Sequence, residues 1–285
     1  MTLAHAEIRR GNIIPELKAS PIVGEINTYL KETEGRYKPY QPEYFMRHAL
    51  GAAKEAHMRG DYGIGACILV IDGNDTAVYT GRNHMFTGNE FDRTHKHAET
   101  DSIKRMLDGR VKPLETFKTS EVEPILNRMF GKEGITNGFI VFGTLEPCQK
   151  CVTEETHLLT LAQERFGKDA KVASISANID GGMEKMKGGA TRSKGAANIL
   201  GAKSLTQPAI WTKIQSGFVE DNPDPPVRFS LLHYNKKLLE EGKYGYKIKP
   251  WEFYKTDDKR LSDLCRDIFE KGRDELDKAL SGIKK

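Results

Sequence analysis

The sequence predicts an α/β core, because helical spacing of apolar residues alternates with short apolar runs of strand length. Three stretches carry this. Phe45, Met46, Ala49, Leu50, Ala53 and Ala56 recur on one helical face, residues 66–71 form a nearly continuous apolar run, and Phe139, Ile140, Val141 and Phe142 form another. The chain has 285 residues, 38% of them hydrophobic and 29% charged. At this size about three quarters of the unfolded surface can be buried without covalent staples. The composition excludes a disordered tail.

Taken in order, residues 1–42 read as an N-terminal extension with a short helix near 22–30. The spacing then predicts a helix over 43–59, ending near Gly60. Residues 66–71 and 76–80, separated by Asp72-Gly73-Asn74-Asp75, read as a β-hairpin. A helix over 98–107, a short helix near 123–130 inside an insertion at 108–137, a strand over 138–144, a helix over 152–166 and a strand over 172–177 follow. They complete a core at 43–178. Residues 179–285 form a C-terminal extension. It opens with a Gly-rich basic stretch at 179–213, continues through a Pro-rich loop near 222–227 and ends in a helix over 257–280.

Forty-four Lys plus Arg against forty Asp plus Glu leave a net charge of +4, too mild and too interleaved to indicate a nucleic-acid binder. No apolar stretch approaches the roughly 18 residues of a membrane span, and residues 1–10 are polar without a signal core, so a cytoplasmic protein is expected. Four cysteines do not make a secreted disulfide framework. Two of them, spaced as Cys148-Gln-Lys-Cys151, point to metal or redox chemistry.

The chemistry concentrates in His97-Ala98-Glu99, opening one predicted helix, and Pro147-Cys148-Gln149-Lys150-Cys151, opening the next directly after a strand. A catalytic zinc takes three N or S ligands and keeps a fourth position open, and His97, Cys148 and Cys151 supply that count. Glu99 is left over. A carboxylate beside such a metal, itself not a ligand, serves hydrolysis as general base and then as general acid. Against this stand a structural zinc half-site and a redox pair. His5-Ala6-Glu7 repeats the tripeptide without a preceding strand, which shows how little the tripeptide says by itself.

The His-x-Glu and Pro-Cys-x-x-Cys pairing resembles the signature of the cytidine deaminase-like superfamily. With His as first ligand and Thr144-Leu145-Glu146-Pro147-Cys148, it is similar to the branch of tRNA adenosine, guanine, deoxycytidylate and riboflavin-pathway deaminases. The resemblance spans roughly residues 43–178. It implies a three-layer α/β/α sandwich around a central mixed sheet, one Zn2+ per chain, and a homo-oligomer, commonly a dimer. It further implies substrate contacts from Asn83 after the second strand, from Gly65 and Ala66 opening the first, and from the backbone near Ala98. The approach Asp92-Arg93-Thr94-His95-Lys96-His97 departs from the family's Asp-Pro-Thr-x-His, lacking the Pro and adding one residue.

The expected activity is hydrolytic deamination of an amino-substituted nucleobase, nucleoside, nucleotide or related heterocycle. A deaminase acting on a base within RNA or single-stranded DNA is one alternative, and a non-catalytic zinc-stabilised binding protein is another. His84, His95, Phe86 and Phe91 lie on the approach loop, where they either reach the pocket or simply pack. The basic run Lys185, Lys187, Arg192 and Lys194 either grips a phosphate or is a solvated loop. Cys67 and Cys265 read as packed small hydrophobes.

Overall fold

The first core helix begins where Pro42 supplies a preset φ at its first turn, and it runs with Phe45, Met46, Ala49 and Ala53 buried along one stripe. The computed structural model describes residues 13–87, 96–130, 137–145, 147, 149–167, 170–177, 228–234, 246–248, 254–256 and 258–282. In chain order its elements are α1 (Pro15–Lys18), α2 (Pro21–Glu32), α3 (Pro42–Met58), β1 (Gly65–Asp72), β2 (Asp75–Arg82), α4 (Ala98–Leu107), β3 (Glu115–Lys118) and α5 (Thr119–Phe130). β4 (Asn137–Gly143), α6 (Gln149–Phe166), β5 (Lys171–Ser176), β6 (Arg228–Tyr234), β7 (Tyr246–Ile248), β8 (Tyr254–Lys255) and α7 (Lys259–Gly282) follow.

The strands lie in the order β3-β2-β1-β4-β5-β6-β7, with β8 also paired to β6. β1 and β2 form the predicted hairpin, closed at Asp72 and Asp75 by a turn in which Gly73 takes φ +62. The β4–β5 pair is parallel, as the crossover through α6 requires, and the other pairs are antiparallel. The sheet is therefore mixed. Alternate residues of β1 feed two cores. Cys67, Leu69 and Ile71 pack with Ile26, Phe45, Leu50, Ile125 and Ile268 on one face, while Ile68 packs with Ile103, Val141, Leu158 and Ala162 on the other. Helices cover both faces, which is the expected three-layer α/β/α arrangement around a mixed sheet.

α7 belongs to the first of these cores through Leu261, Leu264, Cys265 and Ile268. Asp258 starts it, accepting the Leu261 N–H at 2.9 Å and the Tyr29 hydroxyl of α2 at 2.7 Å, with the Tyr37 hydroxyl as a third donor. Further along, His57 of α3 is fully buried and meets Glu275 at 3.2 Å. Burial lowers the imidazole's pKa, and the neighbouring Glu275 carboxylate only partly offsets it. Cys67 and Cys265 are buried as expected, and burial pushes both thiols up.

Boundaries shift in understandable ways. α6 starts at Gln149 and α5 at Thr119, both earlier than their apolar periodicity indicates, because their first turns are polar. α1, β3 and β6–β8 were not anticipated. β3 is a four-residue edge strand with alternating burial, too short to stand out by pattern. The strands after residue 227 depend on pairing with β5, a long-range contact that no local pattern signals. The Gly-rich stretch 179–213 and the loop 222–227 lie outside the described residues. Among the described residues, no helix is long and apolar enough to cross a membrane.

Glycines set the spacing of helix on sheet. A Cβ on Gly65 would stand 2.0 Å from the Ala49 carbonyl oxygen and 2.4 Å from the Ala53 nitrogen, both backbone atoms that cannot move aside, whereas one on Gly51 meets nothing within 4 Å. Gly65→Ala should therefore destabilise the protein by about 3 kcal/mol or more. Gly51→Ala, inside α3, should stabilise it by about 0.5–1 kcal/mol. Denaturant unfolding of the two variants beside the parent checks the opposite signs.

Candidate metal and catalytic site

His97 occupies the N-cap of α4 in extended backbone conformation, and its side chain makes no capping bond. Its carbonyl instead accepts the Asp101 N–H at 2.9 Å and the Thr100 hydroxyl at 3.0 Å, which ties down the helix start. Two residues on, Glu99 points inward and is 4% exposed. Cys151, in the first turn of α6, is fully buried, and its Sγ donates to Glu99 Oε2 at 3.3 Å. A ring nitrogen of His97, a carboxylate oxygen of Glu99 and Cys151 Sγ all lie within 4.8 Å of one another. Cys148 lies outside the described residues.

This donor set suits zinc. Imidazole and thiolate are its preferred ligands. A thiolate and a carboxylate this close repel each other unless the thiol keeps its proton or a cation lies beside them. A divalent cation held by His97 and Cys151 would resolve that conflict.

The ends of three strands meet around the cluster. The Gly65 N–H donates to Thr144 Oγ1 at 3.1 Å, and the Thr144 N–H returns to the Gly65 carbonyl at 3.0 Å. This places the start of β1 beside the segment leading from β4 into the Cys pair. At Gly81 a Cβ would stand 2.2 Å from the Ala98 carbonyl oxygen, so β2 and the first turn of α4 touch backbone to backbone. Ala66 and Ala98 are fully buried, and Asn83 is buried immediately after β2. Asn83 Oδ1 accepts the Met85 N–H at 2.9 Å.

The approach loop is anchored by groups the motif does not contain. Asp101, one turn into α4, accepts the Arg82 N–H at 3.1 Å, with His84 Nε2 and Arg105 Nε each at 3.2 Å. Burial raises its pKa, but His84, Arg105 and the Arg82 N–H together outweigh this and hold the carboxyl below the ordinary aspartate range. His84 thus pairs with Asp101, and its N–H donates to the Lys96 carbonyl at 2.8 Å, bridging the two ends of the loop. Asp61 is fully buried. It accepts the Phe86 N–H at 2.7 Å, the Thr87 N–H at 3.1 Å and the Thr87 hydroxyl. Phe86 is 38% exposed, with its ring edge-on to Tyr62 at 5.1 Å between centroids. His95, Phe91 and the basic run 185–194 lie outside the described residues. Asp61 and Asp101 escaped sequence reasoning because an aspartate after a glycine and an aspartate in a helix's first turn both read as solvated polar groups.

Residues 39–158 match the family model described as the cytidine and deoxycytidylate deaminase zinc-binding region. The matched span includes both His97-Ala-Glu99 and the Cys148/Cys151 pair. Over that span, somewhat less than half of the chain, the sequence is similar to that family. A chain solved in biochemical and structural studies of A-to-I editing by tRNA:A34 deaminases at the wobble position of transfer RNA is 18% identical. The match covers 53% of this chain and 94% of that one, with a TM-score of 0.28. No curated protein sequence matches this chain.

Because the native state holds Asp101 in its charged form, the stability this group contributes is present above the ordinary aspartate pKa of about 4 and is lost as pH falls through its lower native value. Asp101→Asn should cost about 1–3 kcal/mol near pH 7, through weakened bonds to His84 and Arg105. Its deficit should close below about pH 4. Thermal unfolding of both proteins between pH 3 and pH 7 checks this.

Proposed function

We propose that the chain is a zinc-dependent hydrolytic deaminase that releases ammonia from an amino-substituted nucleobase, nucleoside, nucleotide or related heterocycle. The observation that carries this reading is the gathering of His97, Glu99 and Cys151 within 4.8 Å at the starts of two helices. His97 and Cys151 hold one zinc per chain, with Cys148 as third ligand by the spacing of the motif. Zinc bound there supplies a Lewis acid that makes water nucleophilic at neutral pH.

The remaining work falls to this chain's own groups. Glu99 takes a proton from the attacking water as its oxygen bonds to the ring carbon bearing the exocyclic amine. It passes that proton to the adjacent ring nitrogen, then takes a second proton from the hydroxyl now on the carbon and delivers it to the amine. The carbon–nitrogen bond breaks, ammonia leaves, and a ring carbonyl remains. Burial of Glu99 suits this traffic, since it keeps bulk water away from the carboxylate. Asn83, the Ala98 N–H and the Gly65-Ala66 backbone border the ring's polar edge.

Ammonia release should be measured from a panel of free bases, nucleosides, nucleotides and pterins, with zinc content determined alongside. Release from one compound, reduced about 10²–10⁴-fold in Glu99→Ala at unchanged zinc content, is the expected outcome. A fully active Glu99→Ala would contradict the assignment. Silence of the parent, with turnover only on a polynucleotide and steep loss with salt, would move the substrate to nucleic acid.

A further inference from the structure

Five successive backbone N–H groups after β2 each have an acceptor. Asn83 donates to the Ile64 carbonyl at 3.0 Å and His84 to the Lys96 carbonyl at 2.8 Å. Met85 donates to Asn83 Oδ1 at 2.9 Å, Phe86 to Asp61 Oδ1 at 2.7 Å and Thr87 to the same oxygen at 3.1 Å. Two of these five acceptors are one fully buried carboxylate oxygen, which belongs to neither the loop nor the zinc motif. Asp61 sits in the turn after α3, where Gly60 takes φ +89 and the Asp61 N–H donates to the Ala56 carbonyl at 3.0 Å. That turn is itself braced by the last helix. A Cβ on Gly63 would stand 2.4 Å from the Ile268 carbonyl oxygen, and the Tyr62 ring lies between Phe86 at 5.1 Å and Phe269 at 6.4 Å. On its other side Arg82, in contact range of Glu55 at 3.7 Å, approaches Asp61 Oδ2 at 3.9 Å.

A buried carboxylate is costly to keep unless it organises something. Burial pushes the Asp61 pKa up even against the hydrogen bonds from Thr87 and Phe86, so the group is held in place at a cost. What it organises is the chain immediately after Asn83. The Asn83 side-chain oxygen is engaged by Met85, which leaves the amide NH2 as what this side chain can offer a ligand. A substrate atom facing it is then an acceptor, such as a ring or sugar oxygen or an unprotonated ring nitrogen.

We infer that Asp61 is a positioning residue of the deaminase site, which fixes residues 83–87 from the turn behind α3 and thereby sets the orientation in which Asn83 meets the substrate. The inference rests on the deaminase reading. It makes α7, which lies outside the matched family region, a brace of the substrate-binding loop through Tyr62 and Gly63.

The test uses the zinc-loaded full chain and the panel compound that the parent turns over. Asp61→Asn keeps the shape but loses acceptor strength, and it should raise KM about tenfold with kcat within about twofold, at parental zinc content. Thr87→Val, which removes only the hydroxyl donor, should move KM the same way by less. In an Asn83→Ala background the Asp61→Asn effect should shrink to under about twofold, because Asp61 acts through Asn83. A residue that merely stabilised the fold would give the same loss in both backgrounds, and that outcome overturns the inference. So does an unchanged KM in Asp61→Asn together with a normal parent, which leaves the deaminase reading intact. A parent inactive on every compound overturns the deaminase reading and this inference with it.

Discussion

At Gly81 the backbone of β2 lies so close to α4 that a Cβ would sit 2.2 Å from one backbone oxygen and 2.3 Å from the Ser102 nitrogen, and the rest of the site depends on that approach. Only glycine admits it. The contact sets the first turn of α4 directly on the end of β2, which carries His97 and Glu99 to the strand ends where β4 delivers the chain toward Cys151. The matching approach of α3 to Gly65 on the opposite face fixes β1 beside Thr144. With both helices seated at van der Waals distance from the strands, the side chains at their ends have little freedom to wander. A three-layer sandwich thus converts two backbone contacts into a cluster of imidazole, carboxylate and thiol.

The chemistry of the cluster is decided by burial and by charge. Glu99 and Cys151 are both nearly inaccessible, and two anions side by side in such a place are unfavourable without a cation. The imidazole at the N-cap adds a nitrogen donor of the type zinc takes. The positive ends of α4 and α6 favour negative charge on the groups at their first turns. A carboxylate that would be a liability in an ordinary core lies here beside an imidazole and a thiol, a donor set that suits a cation.

Much of this was legible in the sequence because the decisive features are local. His97-x-Glu99 and Cys148-x-x-Cys151 are short-range spacings, and α3, β1, β2, α4, β4 and β5 announce themselves by periodicity. What was not legible is what depends on distant contacts. Asp61 follows a glycine and looks like any turn aspartate, yet it accepts two N–H groups 25 and 26 residues away. Asp101 looks like a favourable first-turn acid, and only the fold brings His84 and the Arg82 N–H to it. The same holds for β6, whose register on β5 links residues such as Ala173 and His233 across the long intervening segment. α7 reads as an amphipathic helix in isolation, and nothing local reveals that it buries Ile268 in the core beneath α3 or that Phe269 reaches Tyr62.

The central claim is a division of labour within one cluster, in which His97 and the cysteines hold zinc while Glu99 remains outside the coordination sphere. X-ray absorption at the zinc edge of the metal-loaded full chain tests it most directly. The account predicts a first shell of two sulfurs near ~2.3 Å with one imidazole nitrogen and one further light atom, unchanged in Glu99→Gln apart from small shifts. A shell with four protein ligands and no exchangeable position, or one that loses an oxygen ligand in Glu99→Gln, would contradict it.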